Sequence, residues 1–250
     1  MNFMFYKTYN YFFLCVLCVL CVLCGLNSSS CINRNPVQSS NENAVAPISP
    51  LIMDLAFILE THDPYLYVLV DKEFALSADY EPDDLVLLTG RGVSYRVNRN
   101  DMLLRQAAFD GLESMAAAAK ADGLTLVASS AYRSYAYQEQ VYSRYVRQYG
   151  QEEADTFSAR PGHSQHQLGL VVDFGSITDA FADTPEGKWL AANASRFGWS
   201  LSYPLGYEEL TGYKWESWHY RYVGKELAEF IDTYFEGIQQ NALVYIRVHH

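Results

Sequence analysis

The sequence predicts an α+β fold, and three observations predict it. Leu103–Asp122 carries apolar residues at helical spacing with an alanine run and Gly123 just beyond, which reads as a helix. "LTLVAS" at 124–129 follows as a buried strand, and "DLVLL" at Asp84–Leu88 is another apolar run of strand length. Helices and short strands then mix along the chain without a strict βαβ rhythm.

The elements follow in order. Tyr11–Leu26, "YFFLCVLCVLCVLCGL", comes after Lys7 and precedes small polar residues, the pattern of an export signal over residues 1–30. Cys15, Cys18, Cys21 and Cys24 lie inside this apolar segment among Val and Leu, so no iron–sulfur cluster is expected from their C-x-x-C spacing. "SSSC" offers a loose lipoprotein processing site, which would place a lipid on Cys31; Ser28 stands where such sites carry a large apolar residue. Either way the membrane is met only through this N-terminus. Residues 31–50 are polar and rich in Asn, Ser and Pro, a tether ahead of one folded domain over 51–250.

Within that domain, Leu66–Val70 ("LYVLV") and Asp84–Leu88 read as strands flanking an acidic loop. Ser134 caps a helix running to Tyr149, stopped by Gly150. Thr184-Pro185-Glu186 opens a helix that ends at Gly198, "WSLS" after it has the length of a strand, Trp218–Val223 alternates like one, and Lys225–Gln239 closes the domain with a helix. The formal charge of −11, without any basic run, argues against nucleic acid as a partner. Once a signal is removed, Cys31 alone remains, so stability must come from the core rather than from disulfides within the chain. A monomer is the expectation.

Chemistry concentrates in "PGHSQHQLGLVVDFG" at Pro161–Gly175, which sets His166 and Asp173 in an apolar run. Seven extended residues span about 23 Å, so these two can share a metal only if the chain bends around Gln167–Gly169, and glycine suits that bend. Leu168, Leu170, Val172 and Phe174 would face the core, with Asp173 on the opposite side of the strand. Among the other histidines, His219 in "ESWHYRYV" is the best third ligand, and Glu216 precedes it by three residues. Two His and one Asp beside a Glu make a catalytic zinc site; the same residues also read as hydrogen-bonded structural histidines and an aspartate at a turn. Arg133 stands where a buried strand turns into a helix, suited to gripping a carboxylate or to pairing with an acid on the surface.

Three stretches together, Ser130-Ala-Tyr-Arg133-Ser-x-x-x-Gln138, then Pro161-Gly-x-Ser164-x-His166-x-x-Gly169-x-x-x-Asp173, then Glu216-x-Trp-His219-x-Arg-Tyr, resemble the VanY-like D-alanyl-D-alanine carboxypeptidases, zinc peptidases of the bacterial cell wall. The likeness runs from about Leu66 to Phe230. It implies the Hedgehog/DD-peptidase-like fold, a small antiparallel sheet flanked by helices. It implies Zn2+ on His166, Asp173 and His219, with Glu216 as general base and acid. Arg133 would grip the substrate, and Ser164 and Gln138 would contact the peptide. The implied substrate is a peptidoglycan stem peptide losing its C-terminal D-alanine outside the cytoplasmic membrane, in the periplasm or cell envelope. An L,D-carboxypeptidase acting on tetrapeptides and a non-catalytic wall-binding protein are the competing readings. Gln165, Val171, His163 and Ser77 depart from residues common in that family, which bears on substrate preference rather than on the ligands.

Overall fold

The structure is a computed structural model that describes residues 48–88 and 94–250. The export segment, Cys31 and the tether up to residue 47 lie outside the described residues. Its elements are α1 (Pro50–Thr61), α2 (Pro64–Tyr67), β1 (Leu85–Leu87), β2 (Tyr95–Val97), β3 (Leu103–Arg105), α3 (Gln106–Ala121), β4 (Leu126–Ser130), α4 (Tyr135–Tyr149), α5 (Gln151–Phe157), β5 (Val171–Phe174), α6 (Pro185–Asn193), β6 (Trp199–Leu201), α7 (Glu208–Thr211), β7 (His219–Tyr222), α8 (Lys225–Phe235) and α9 (Gln239–His249). Short 3₁₀ turns occupy Gln165–Leu168, Asp179–Asp183 and Ala194–Phe197.

The fold is α+β, centred on a five-stranded sheet of order β2-β4-β5-β7-β6. The expected antiparallel sheet is mixed at one edge, where β2 runs parallel to β4. The helix α3 buries Ala108, Phe109, Leu112, Met115, Ala116 and Ala119, the spacing of one helical stripe, in the same core as Leu170 and, from the central strand, Val172 and Phe174. A second cluster joins Leu55 and Ile58 of α1 to Leu227 and Ile231 of α8 and Leu243 of α9.

The helix expected to run to Gly198 ends at Asn193 and finishes in the 3₁₀ turn Ala194–Phe197, and three further expected elements differ, each for a local reason. The 66–70 run is not a strand: Asp63 accepts a hydrogen bond from the Tyr65 amide (2.9 Å) and Pro64 fills the first helical position, so Pro64–Tyr67 turns helical. The carbonyls of Tyr65, Leu66 and Val68 are met at 2.9–3.2 Å by Nη2 of Arg221, a fully buried side chain, instead of by a neighbouring strand. Residues 103–105, expected in the helix, pair with β1 in an antiparallel ladder (Leu85↔Arg105), so the helix starts at Gln106. The closing helix breaks after Phe235, where Glu236 (φ 54°) and Gly237 (φ 77°) turn left-handed, and α9 follows. Pattern reading also passed over α1, β2, α5, α7 and α9. The Ser134 cap stands as expected, its hydroxyl accepting from the Tyr137 amide (3.2 Å).

Candidate metal centre and active-site cleft

The bend expected between the first histidine and the aspartate is a 3₁₀ turn, Gln165–Leu168, closed by Gly169 at φ 69°, a conformation that favours glycine. The strand β5 then carries Asp173, although both of its faces are buried, so the expected division into a core side and an open side does not hold there. In the ladder with β7, Asp173 stands directly opposite His219.

His166, Asp173 and His219 each offer a ligand atom, and these atoms lie within 4.8 Å of one another. All three side chains are buried. His166 Nδ1 donates to the Ala131 carbonyl (2.7 Å), which leaves the Nε2 lone pair turned toward Asp173 Oδ2 at 3.2 Å. His219 Nδ1 lies 3.1 Å from Asp173 Oδ1 and 3.2 Å from Glu216 Oε2. Among the described residues, buried Asp173 Oδ1 has the 3.1 Å approach of His219 Nδ1 but no hydrogen bond of good geometry, and a cation seated between the two would satisfy it. Two imidazoles and one carboxylate are the donor set of a catalytic zinc site, so the residues fit that ion.

Electrostatics separates the groups. Burial pushes His166 down to about 4, helped by the Arg133 guanidinium, so this imidazole is neutral and free to ligate. Burial works the other way on Asp173, yet the two imidazoles hold its carboxyl well below the usual range. His219 is lowered by burial but lifted to about 9 by Asp173 and Glu216. Burial raises Glu216 above an ordinary glutamate.

Arg133 reaches the same point from the loop after β4. Its Nη2 lies 2.8 Å from His166 Nε2 and 3.2 Å from Asp173 Oδ2, and its Nη1 donates to Gln138 Oε1 at 3.1 Å. Gln138 in turn donates to the Ala159 carbonyl (2.7 Å). All seven residues singled out in the sequence, with Ser164 among them, line one cleft of about 420 Å³. Sequence reasoning did not single out the Ala131 carbonyl, which only the turn's geometry reveals. It also missed Tyr203, whose ring packs 4.7 Å from that of His219 and which lines the cleft with Tyr213; nothing in the pattern around either tyrosine distinguishes them from core aromatics.

A buried His–Asp–His group lining an open cleft has the donor set of a metal-dependent hydrolase. The model of the VanY family, D-alanyl-D-alanine carboxypeptidase, matches residues 101–225, and the chain belongs to that family. A Bacillus subtilis (strain 168) protein, YodJ, which carries a provisional carboxypeptidase name, is 37% identical over 188 residues, covering 70% of this chain and 68% of its own. Among solved structures, the LdcB LD-carboxypeptidase is similar with a TM-score of 0.66 at 34% identity, covering 72% of this chain and 86% of its own. The vancomycin-resistance D,D-pentapeptidase VanY from a VanB-type cassette, solved with Zn(II), is similar with a TM-score of 0.59 at 30% identity, covering 72% of this chain and 99% of its own. VanYB in complex with D-alanine-D-alanine gives 0.60 and 30%, covering 74% and 99%.

Proposed function

We propose that this protein is a zinc-dependent D,D-carboxypeptidase that removes the C-terminal D-alanine from the pentapeptide stem of peptidoglycan. The observation that carries the reading is the buried ligand set His166, Asp173 and His219 with the Glu216 carboxylate 3.2 Å from His219. Those three side chains would hold the zinc, which when bound acidifies a water to a pKa of about 7 and polarises the scissile carbonyl. Glu216 serves as the proton carrier: it takes the proton of the attacking water and delivers it to the departing amine of D-alanine. Burial, which raises this carboxyl, makes its carboxylate a stronger base and so favours the first half of that exchange. Arg133, part-buried and held by Gln138, neutralises negative charge on the substrate beside the reacting carbon, and Ser164, which lines the same cleft, contacts the peptide. An exported enzyme meets this substrate outside the membrane, which agrees with the signal pattern of residues 1–30.

A second reading, L,D-carboxypeptidase action on tetrapeptide stems, is supported by the likeness to LdcB. One experiment separates the two: purified protein is incubated with defined pentapeptide and tetrapeptide muropeptides and the products are weighed. Loss of one alanine from the pentapeptide, abolished by chelation and reduced at least about a thousandfold in Glu216→Gln, is expected. Turnover of the tetrapeptide alone would establish the L,D reading. If neither peptide loses alanine while zinc is bound, the enzyme reading fails and a wall-binding role replaces it.

A further inference from the structure

Beyond the metal end of the cleft, one wall is a face of α4. Tyr137, Gln138, Val141, Arg144 and Tyr145 all line it, at the i, i+1, i+4, i+7, i+8 spacing that a single helical face presents. Gln138 marks the reacting end, because it holds Arg133, which touches Asp173. Tyr145 lies seven residues farther along, about 10 Å at the helical rise. An extended peptide covers that distance in about three residues.

The charges along this wall are segregated. The acids lining the cleft, Asp173 and Glu216, belong to the metal end. Of its three arginines, Arg133 is paired with Asp173 (3.2 Å) and Arg99 with Asp101 (3.0 Å). No carboxylate among the described residues forms an ion pair with Arg144. Its guanidinium carbon lies 5.2 Å from the ring centroid of Tyr145, which is itself packed edge-on against Phe157 (5.1 Å). An exposed arginine with no ion-pair partner among the described residues, lying beside a packed aromatic ring on a cleft wall, is able to take a carboxylate through two hydrogen bonds. It does so in a chain whose acids outnumber its basic residues 29 to 18.

We propose that Arg144 is a specificity-determining residue that binds a free carboxylate of the substrate about three residues before its C-terminal residue. The inference rests on the carboxypeptidase reading above and names what that site prefers. In a pentapeptide stem this position is the second residue, which carries either a free α-carboxylate (D-isoglutamate) or its amide (D-isoglutamine).

The test uses two synthetic pentapeptides that differ only in that group. The wild-type protein is expected to show a kcat/KM ratio, carboxylate over amide, of about fivefold to tenfold, as a partly exposed charge-assisted contact gives. The preference should reside mainly in KM, because the contact is equally present before and during reaction. Arg144→Gln should bring the ratio close to one. Arg147→Gln, on the same helix but off the cleft lining, should keep it. A wild-type ratio near one, or a ratio that survives Arg144→Gln, overturns the proposal while leaving the carboxypeptidase reading intact. If neither pentapeptide is turned over, the D,D reading fails instead, and calorimetric affinities of the same two peptides for the zinc-loaded protein and for Arg144→Gln still decide the role of Arg144 by the same ratio.

Discussion

Gly169 offers the sharpest test of how the backbone builds the metal centre, through Gly169→Ala compared with Gly123→Ala. Both glycines have positive φ, 69° and 81°, so an L-residue at either costs about 1–2 kcal/mol. They differ in what a methyl group would meet. At Gly123 nothing lies within 4 Å, whereas at Gly169 the new carbon would stand 3.0 Å from Arg105 Cγ and Leu85 Cδ2 and 3.2 Å from Pro82 Cγ. Arg105 cannot easily retreat, since Asp84 (2.7 Å) and Asp63 (2.8 Å) hold its guanidinium and its amide donates to the Gly169 carbonyl (2.8 Å).

Crowding therefore adds about 1–3 kcal/mol at Gly169, for a total of about 2–5 kcal/mol against about 1–2 kcal/mol at Gly123. A domain with about 5–15 kcal/mol of stability survives either change. Urea unfolding, with a slope of about 2–3 kcal/mol/M, should show the midpoint falling by about 1 M or more in Gly169→Ala and by roughly half a molar in Gly123→Ala. Because Gly169 closes the turn between His166 and Asp173, zinc affinity measured against a competing chelator should also drop at least about tenfold in Gly169→Ala, the range seen when ligand orientation is disturbed, and stay constant in Gly123→Ala. Equal midpoint shifts would refute the crowding argument. A lowered midpoint with unchanged zinc affinity would refute the link between this bend and the ligand geometry.

Other outcomes follow from the same structure. Burial raises the Glu216 pKa on folding, so ionising it costs stability at pH values above the folded value, and that cost fades as pH falls toward the unfolded value of about 4.3. Metal-free Glu216→Gln should accordingly melt above the wild type at pH 8, with the gap closing near pH 4. Zinc at a hundred times its dissociation constant should stabilise the folded protein by about 2.7 kcal/mol, seen as a higher melting temperature that a chelator reverses. Ser202→Ala removes the donor to the buried Gln165 Oε1 (2.8 Å), immediately before His166, and should lower stability by about 1–2 kcal/mol with weaker zinc retention by the competition assay. Ser134→Ala, which removes the α4 cap beside Arg133, should cost about 1 kcal/mol in urea unfolding.

His166, Asp173 and His219 were legible in the sequence because each is an ionisable group in an apolar stretch and needs a partner, whereas Ser164 and Gln138 were reached only through the family resemblance. Helix ends were legible where a side chain makes the cap, as at Ser134 and at Thr184, whose Oγ1 accepts from the Gly187 amide (3.0 Å). What escaped depends on distant chain. The residues after Pro64 look like a strand by composition, but a guanidinium 153 residues away, on Arg221, satisfies the Val68 carbonyl (2.9 Å) and makes a ladder unnecessary. Leu103–Arg105 fit the helical stripe that follows them, yet β1 lies alongside and claims their backbone. The break at Glu236 puts a non-glycine residue in the left-handed region, and its one local signal, Gly237 immediately after it, is a helix stop that the continuing pattern to Gln239 overrode.

Sheet register and metal centre are therefore a single property of this fold. Three neighbouring strands deliver the reacting groups to one place: β4 ends beside the loop bearing Arg133, β5 carries Asp173, and β7 begins with His219. The pairings Ser130↔Asp173 and Asp173↔His219 align them, while the Ala131 carbonyl at the end of β4 orients His166. Side chains alternate along a strand, so a one-residue slip between β5 and β7 would turn Asp173 away from His219 and expel it from the ligand set. The buried apolar neighbours Val172 and Tyr220, paired one step along the same ladder, oppose that slip. Core packing on these two strands thus holds together ligands that lie 46 residues apart in sequence, and substitutions there should damage metal binding without touching a ligand.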